Sequence, residues 1–267
     1  PASYTRPRVA VLVPAHNEAL VIQAALETFI PQLTSQDQLI VIANNCTDDT
    51  AKIARSLGAT VLERFEPDPE RRSKGYGLDY GIQYLSQNSP DVVIAIDADC
   101  LVDPNAIHRL VNKAYVTGRP VQAAYLMKPP SNPRLKTLIS ALAVVLKNQV
   151  RPLGLSRLGL PNLLTGSGMA FPWSAFQTVS LANNRIAEDM KLGLDLAIVG
   201  YMPTFCAESE VISILPQRNS AAQSQRSRWA QGHLQIIQAE VPSLLLEAVK
   251  QRKFQLFALA MEVAIPP

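Results

Sequence analysis

Asp97 and Asp99 stand two residues apart at the end of an apolar run, Val92 to Ile96, in a chain of 267 residues. In extended chain, side chains at i and i+2 point the same way, so both carboxylates can face one cation. Oxygen-only donors at an exposed strand end suit Mg2+ or Mn2+, with water and phosphate oxygens completing the shell. An aspartate here could instead cap the next helix. Asp103-Pro104 is expected to supply that cap and the proline of the first helical turn, which leaves the pair free for a metal. A second acidic pair, Glu188-Asp189, opens a predicted helix, Asp189 to Val199. It either complements the helix dipole or offers one carboxylate as a general base. Gln225, Arg228 and Trp229 lie at i, i+3 and i+4 and so share one helix face. A tryptophan can stack on a sugar ring and a guanidinium can grip a phosphate through two hydrogen bonds. Plain amphipathic packing would explain the same spacing.

Other candidates are weaker alone. Pro14-Ala15-His16-Asn17-Glu18 follows the first strand and contains no glycine, which excludes a dinucleotide fingerprint and a Walker loop there. Its Asn-Glu pair is either an N-cap or a polar edge beside a nucleoside. Asn44-Asn45-Cys46-Thr47-Asp48 follows the second strand and reads as turn chemistry or as a base-reading edge. Lys74-Gly75 opens a helix where a lysine and free N–H groups could hold a diphosphate, or the lysine is simply solvated. The three histidines show no ligand spacing, and no Ser-His-Asp or Cys-His site assembles.

These residues need elements to hold them. Arg8 to Val13, Gln38 to Ala43, Ala59 to Glu63 and Val92 to Ile96 read as strands. Asn17 to Ile30, Thr47 to Leu57 and Gly75 to Ser86 read as helices between them. Such alternation predicts an α/β fold with a parallel sheet covered on both faces, and ligands at the carboxyl ends of its strands. After residue 128 the pattern changes to a long amphipathic helix (Pro133 to Gln149), a Gly/Pro/Leu loop (Pro152 to Gly168), then further helices and short strands. The chain reads as one domain, 1–267, with a first lobe to residue 127 and a second from 128.

Net charge is +3, too small to imply a nucleic-acid partner. Its distribution is uneven. No Asp or Glu lies between Asp103 and Glu188, a stretch that includes Lys128, Arg134, Lys136, Lys147, Arg151 and Arg185. A second acid-free stretch, Val211 to Ala239, carries Arg218, Arg226 and Arg228. This layout fits a half that holds cations and a half that meets phosphates or an anionic membrane, or else solvated helix faces. Three scattered cysteines exclude a disulfide framework and suit a reducing compartment. The longest apolar run, Leu138 to Leu146, is about half of the ~20 residues a membrane span needs. Phe254 to Pro267 is read as a terminal helix or as the first turns of a membrane helix, and the chain as a piece of a longer membrane protein.

Taken in order, Val11-Leu-Val-Pro-Ala-His-Asn-Glu18, Asn44 to Asp48, Lys74-Gly-Tyr-Gly-Leu-Asp-Tyr-Gly81, Asp97-Ala-Asp99, Thr165-Gly-Ser-Gly168, Glu188-Asp189 and Gln225-Arg-Ser-Arg-Trp229 resemble family 2 glycosyltransferases of the GT-A fold. The QxxRW motif is similar to that of the membrane-bound processive branch, the cellulose, hyaluronan and poly-N-acetylglucosamine synthases. The resemblance runs from about Val9 to Gly232. It implies a uridine site lined by Ala15, Glu18 and Asn44, with Lys74 on the diphosphate. Asp97 would touch the ribose or the metal and Asp99 would bind the metal, Mg2+ or Mn2+. Gly166, Ser167 and Gly168 would border the sugar and acceptor together with Glu188, and Asp189 would be the base. Gln225, Arg228 and Trp229 would close over the diphosphate and the acceptor end. Two positions depart from the family's pattern: Ala43-Asn44 replaces its acidic pair after the second strand, and Ala187-Glu188-Asp189 its Thr-Glu-Asp.

The expected reaction is inverting transfer from a nucleoside-diphosphate sugar, UDP by resemblance, to a growing polysaccharide at the cytoplasmic face of the cell membrane. A glycosidase would want two carboxylates flanking one bond, whereas one base and one metal site imply a single displacement. Addition of one sugar to a lipid-linked or other acceptor, or a silent nucleotide-sugar sensor, are the alternative readings.

Overall fold

The computed structural model describes residues 6–182, 186–216 and 219–265, with backbone alone at 219–222. Arg185 and Arg218 of the basic stretches, and Pro266-Pro267 of the terminal segment, lie outside the described residues. The first half alternates β1 (Val9–Ala15), α1 (Ile22–Phe29), β2 (Gln38–Asn44), α2 (Thr50–Ser56), β3 (Thr60–Arg64), α3 (Lys74–Leu85) and β4 (Val92–Ala95). Then come β5 (Leu101–Val102), α4 (Ala106–Thr117) and β6 (Val121–Lys128). The second half holds α5 (Leu135–Val145), α6 (Arg151–Arg157), β7 (Met169–Pro172), α7 (Glu188–Ile198), β8 (Thr204–Ile214), α8 (Asn219–Gln251) and α9 (Phe254–Val263).

One sheet takes strands from both halves, in the order β3-β2-β1-β4-β7-β6-β8-β5. β1 pairs parallel with β2 and β4, β2 with β3, and β6 with β8. β7 runs antiparallel to β4 and β6, and β5 antiparallel to β8. Val9, Val11 and Val13 of β1 face one apolar layer while Ala10 and Leu12 face the other. That two-sided burial is why β1 reads as an unbroken apolar run. α3 lies close against the sheet because Gly81 faces it: a Cβ there would come within 3.1 Å of Leu12. The carboxyl ends of β1, β2 and β4 therefore open on one edge, beside the start of α3.

Several expectations are corrected. α1 begins at Ile22 and not at Asn17, because Asn17 adopts φ +58 and turns the chain. Its Oδ1 accepts the Thr47 N–H at 2.8 Å, tying the loops after β1 and β2 together. α2 begins at Thr50 rather than Thr47. Asp103 does not cap α4 with its side chain: the N-cap is Asn105 in left-handed conformation, and the Asp103 carbonyl accepts from Ala106. The loop expected at 152–168 is helical to Arg157. α5 runs through a π-helical turn (Leu146–Val150) straight into α6, and Pro152, which has no N–H to give the preceding turn, follows that π turn. α9 buries Leu256, Leu259, Ala260 and Val263 in one cluster with residues of α8 and α7. Among the described residues no helix is long and apolar enough to cross a membrane.

Candidate active site

Lys74, the first residue of α3, reaches Asp97 just past β4, Nζ to Oδ1 2.5 Å, and donates to the Gly166 carbonyl at 2.6 Å. Burial alone would push the Lys74 ammonium down, but Asp97, with Glu188 and Asp189 beyond it, outweighs burial and holds it above the ordinary lysine value. The lysine is thus an ion-paired member of the site and not a solvated one. Burial pushes the Asp97 carboxyl up, and Lys74 opposes that shift.

Gly166 has φ +95, and a Cβ there would stand 3.1 Å from Asp189 Oδ2 and 3.9 Å from Lys74 Nζ. The three groups therefore touch across one cleft. Glu188 and Asp189 form the first turn of α7, where carboxylates favour the helix dipole. Burial raises Glu188 to about 7, its neighbour Asp189 adds to the rise, and Lys74 opposes it. Burial also raises Asp189, against the pull of Lys74 and Lys147.

Asp97, Asp99 and Cys100 place one ligand atom each within 4.8 Å of one another. The Cys100 thiol is driven far up by burial and then by both aspartates, so it stays protonated and is no ligand for a hard cation. It donates to Asp99 Oδ1 at 3.4 Å and accepts from Ser167 Oγ at 3.3 Å, orienting the carboxylate. Glu18 at the end of β1 is raised to about 7 by burial, then by Asp99, Asp97 and Asp48. Carboxylates crowded at one strand edge, with oxygen donors converging, suit Mg2+ or Mn2+ held by Asp97 and Asp99.

The remaining expected residues divide. Ala15 is buried at the end of β1, where its carbonyl accepts from Cys46. Asn44 is buried and held at both ends of its amide: its Nδ2 donates to the Arg72 carbonyl at 2.9 Å, and its Oδ1 accepts from Arg64 at 3.0 Å. Its side chain braces the loop before α3. Ser167 is entirely buried, accepting the Asp97 N–H at 3.0 Å, so it supports the chain just past β4 from behind. Gly168 is a packing position, where a Cβ would meet Val211 at 2.6 Å and Ala123 at 2.9 Å. On α8, Gln225 is half-buried while Arg228 and Trp229 are exposed. Among the described residues no hydrogen bond or ion pair joins these three to the cleft.

Sequence reasoning missed three residues. Gln122 on β6 is buried and clamps the loop beside Asp189, accepting the Thr165 N–H and donating to the Ser167 carbonyl, both at 2.8 Å. A lone glutamine in an apolar strand was its only signal. Gly232, one turn past Trp229, lies flush on the segment before Glu188: a Cβ would meet Ile186 at 2.8 Å. Lys147, in the π turn, feels both Asp189 and Glu262, though burial holds its pKa down.

The model of the family described as glycosyltransferase like family 2 matches residues 7–232. Among curated proteins, the poly-beta-1,6-N-acetyl-D-glucosamine synthase of Staphylococcus aureus (strain COL) is 23% identical over 264 residues, 96% of this chain. That of Staphylococcus epidermidis is 22% identical over 261 residues, 95% of this chain. The chain spans 61% and 60% of the length of these relatives. Among solved structures, the mannosyltransferase PcManGT from Pyrobaculum calidifontis, in complex with GDP-Man and Mn2+, superposes with TM-score 0.67 at 20% identity. That match covers 97% of this chain and 70% of that one. Glucosyl-3-phosphoglycerate synthase from Mycobacterium tuberculosis, in complex with Mn2+ and UDP-Glc, gives TM-score 0.56 at 21% identity, covering 86% and 78%. These likenesses establish the GT-A fold. With the family model running unbroken through both carboxylate pairs to the end of the α8 motif, the chain belongs to the glycosyltransferase-like family 2.

Proposed function

We propose that this domain transfers a sugar, with inversion, from a nucleoside-diphosphate sugar to a growing polysaccharide at the cytoplasmic face of the membrane. The observation that carries the reading is the meeting of Lys74, Asp97, Gly166 and Asp189 in one cleft. The polysaccharide acceptor is supported by the staphylococcal relatives, and a nucleotide-sugar donor by the ligands in the solved neighbours' names. UDP is the proposed nucleotide. Arg64 and the Arg72 carbonyl fix the Asn44 amide in place, leaving it one further N–H to offer the nucleobase.

Asp97 and Asp99 would hold Mg2+ or Mn2+, which supplies charge neutralisation to the departing diphosphate. Lys74 adds a second positive charge on that side, so the leaving group departs without a general acid. Asp189 takes the proton of the acceptor hydroxyl as that oxygen attacks the anomeric carbon from the face opposite the diphosphate. Gly166, lacking a side chain, leaves room for the acceptor beside that carboxylate. Exposed Arg228 and Trp229, with Gln225, would close over the diphosphate and the acceptor end. Release of nucleoside diphosphate from a panel of UDP- and GDP-sugars, with Mn2+ and with chelator, tests the reading. Product length after long incubation separates chain extension from single addition. Donor binding without turnover on any acceptor would overturn the reading.

A further inference from the structure

α5 is an amphipathic helix whose apolar side faces outward. None of its residues is buried. Leu135, Leu138, Ile139, Leu142, Leu146 and Val150 are 73%, 45%, 59%, 59%, 52% and 53% exposed along α5 and the π turn. At about 100° per residue they fall within an arc of about 120°, one continuous stripe. A helix stripe of that width ordinarily faces a core, and a contiguous exposed one marks an interaction surface. Arg134 and Lys136 lie about 100° to either side of its axis, both exposed, and exposed Lys128 stands at the end of the preceding strand. The whole rod from 134 to 157 contains no carboxylate.

That charge pattern selects the occupant. A second copy of the same helix would set cation against cation in either orientation, with no carboxylate to relieve it. A surface that is apolar in the middle and negative on both sides is the boundary of an anionic bilayer. The uncharged stretch between Lys136 and Lys147 is only about half of the ~20 residues a span needs, so the rod does not cross that bilayer. It therefore lies in the plane, with the Arg134 and Lys136 stems alongside the acyl boundary and their charges at headgroup level.

We propose that α5 and the π turn form an in-plane membrane anchor that seats the Leu135–Val150 stripe in an anionic leaflet. It deepens the membrane-face part of the function proposed above and names its element, while the donor chemistry is independent of it. The anchor's far end is tied to α9, where Arg151 holds Glu262 at 2.7 Å, and the Asp189 charge acts on Lys147 in the π turn. The leaflet would then lie on the acceptor side of the cleft, where a chain leaving the site meets the membrane.

The test is co-sedimentation of the chain with vesicles of equal parts phosphatidylglycerol and phosphatidylcholine, against phosphatidylcholine alone. Wild type should bind the anionic vesicles about tenfold better. The double variant Ile139→Glu/Leu142→Glu, altered only at exposed positions, should keep its thermal melting while vesicle binding drops about tenfold or more. Arg134→Gln/Lys136→Gln should weaken binding and flatten its salt dependence. Donor binding measured on the same samples reports separately on the transferase reading, and should not change. Unchanged vesicle binding by the stripe variant, or no binding by wild type, would overturn the anchor. So would a wild-type dimer in light scattering that the stripe variant converts to monomer, or loss of binding with Phe257→Glu on α9 alone.

Discussion

Gly166 and Asp189 are in contact across the cleft, and a single methyl group added to the glycine would stand 3.1 Å from the Asp189 carboxylate. The backbone at Gly166 is also left-handed, at φ +95, which a side chain tolerates poorly. The loop at Gly166 and the carboxylate proposed as base are thereby one unit, closed by Lys74 bonding the Gly166 carbonyl. Gly166→Ala should cost about 1–3 kcal/mol of stability and displace the base, so that kcat falls more than donor affinity does. Thermal melting and initial rates check both effects.

Gln122 holds the same loop from the sheet side. Gln122→Leu removes the acceptor of the Thr165 N–H and the donor to the Ser167 carbonyl at a fully buried place. Leaving those groups unsatisfied should cost about 1–3 kcal/mol. In a chain of this size that lowers the melting temperature by about 2–4 °C per kcal/mol. A melting temperature equal to wild type would mean that the loop is held by other contacts.

Metal binding is read most directly at Asp99. Asp99→Asn loses one hard ligand of the two, so stabilisation by nucleoside diphosphate with Mn2+ should vanish, as should turnover. Thermal shift with nucleotide, with and without Mn2+, is the measurement. Retention of the wild-type shift would remove Asp99 from the metal site.

Glu188 gives the pH dependence its sign. Burial lifts its folded value from 4.5 to about 7, so the folded state binds more protons than the unfolded chain between those values. Stability from this group is present below about 4.5 and is lost as pH rises through about 7. The base works only when unprotonated, and burial raises Asp189 as well, so kcat should rise with pH along an acid limb lying above the ordinary aspartate value. Glu188→Gln should flatten the fall in melting temperature and move the kcat limb to lower pH. An unchanged limb would assign it to another group.

How much of this was legible in the sequence depends on the element. β1, β2 and β4 are buried on both faces, so they show as apolar runs, and their carboxyl ends could be marked as the ligand edge. The pairing of Lys74 with Asp97 could not be read, because it needs the strand order that puts the start of α3 beside the end of β4. β6, β7 and β8 are made partly of small and polar residues and one pairing is bulged, so they gave no clear run. The start of α1 was hidden by a left-handed asparagine, and the cap of α4 by a backbone carbonyl doing what a side chain was expected to do. The motif residues Asn44, Ser167 and Gly168 all have their surroundings set by the fold itself. Their side-chain partners, or the close packing of Gly168, make them framework of the cleft, a distinction that residue type alone does not carry.

The central claim is that Asp189 is the base of a sugar transfer whose donor is held by other groups. Donor Kd by calorimetry together with kcat from nucleoside-diphosphate release, for wild type and Asp189→Asn, tests it most directly. The account predicts a donor Kd within about twofold of wild type, while kcat falls about 10²–10⁴-fold, the usual contribution of a general base. A variant that keeps more than about a tenth of wild-type kcat, a barrier change below ~1.4 kcal/mol, or that loses donor affinity in step with rate, would contradict it.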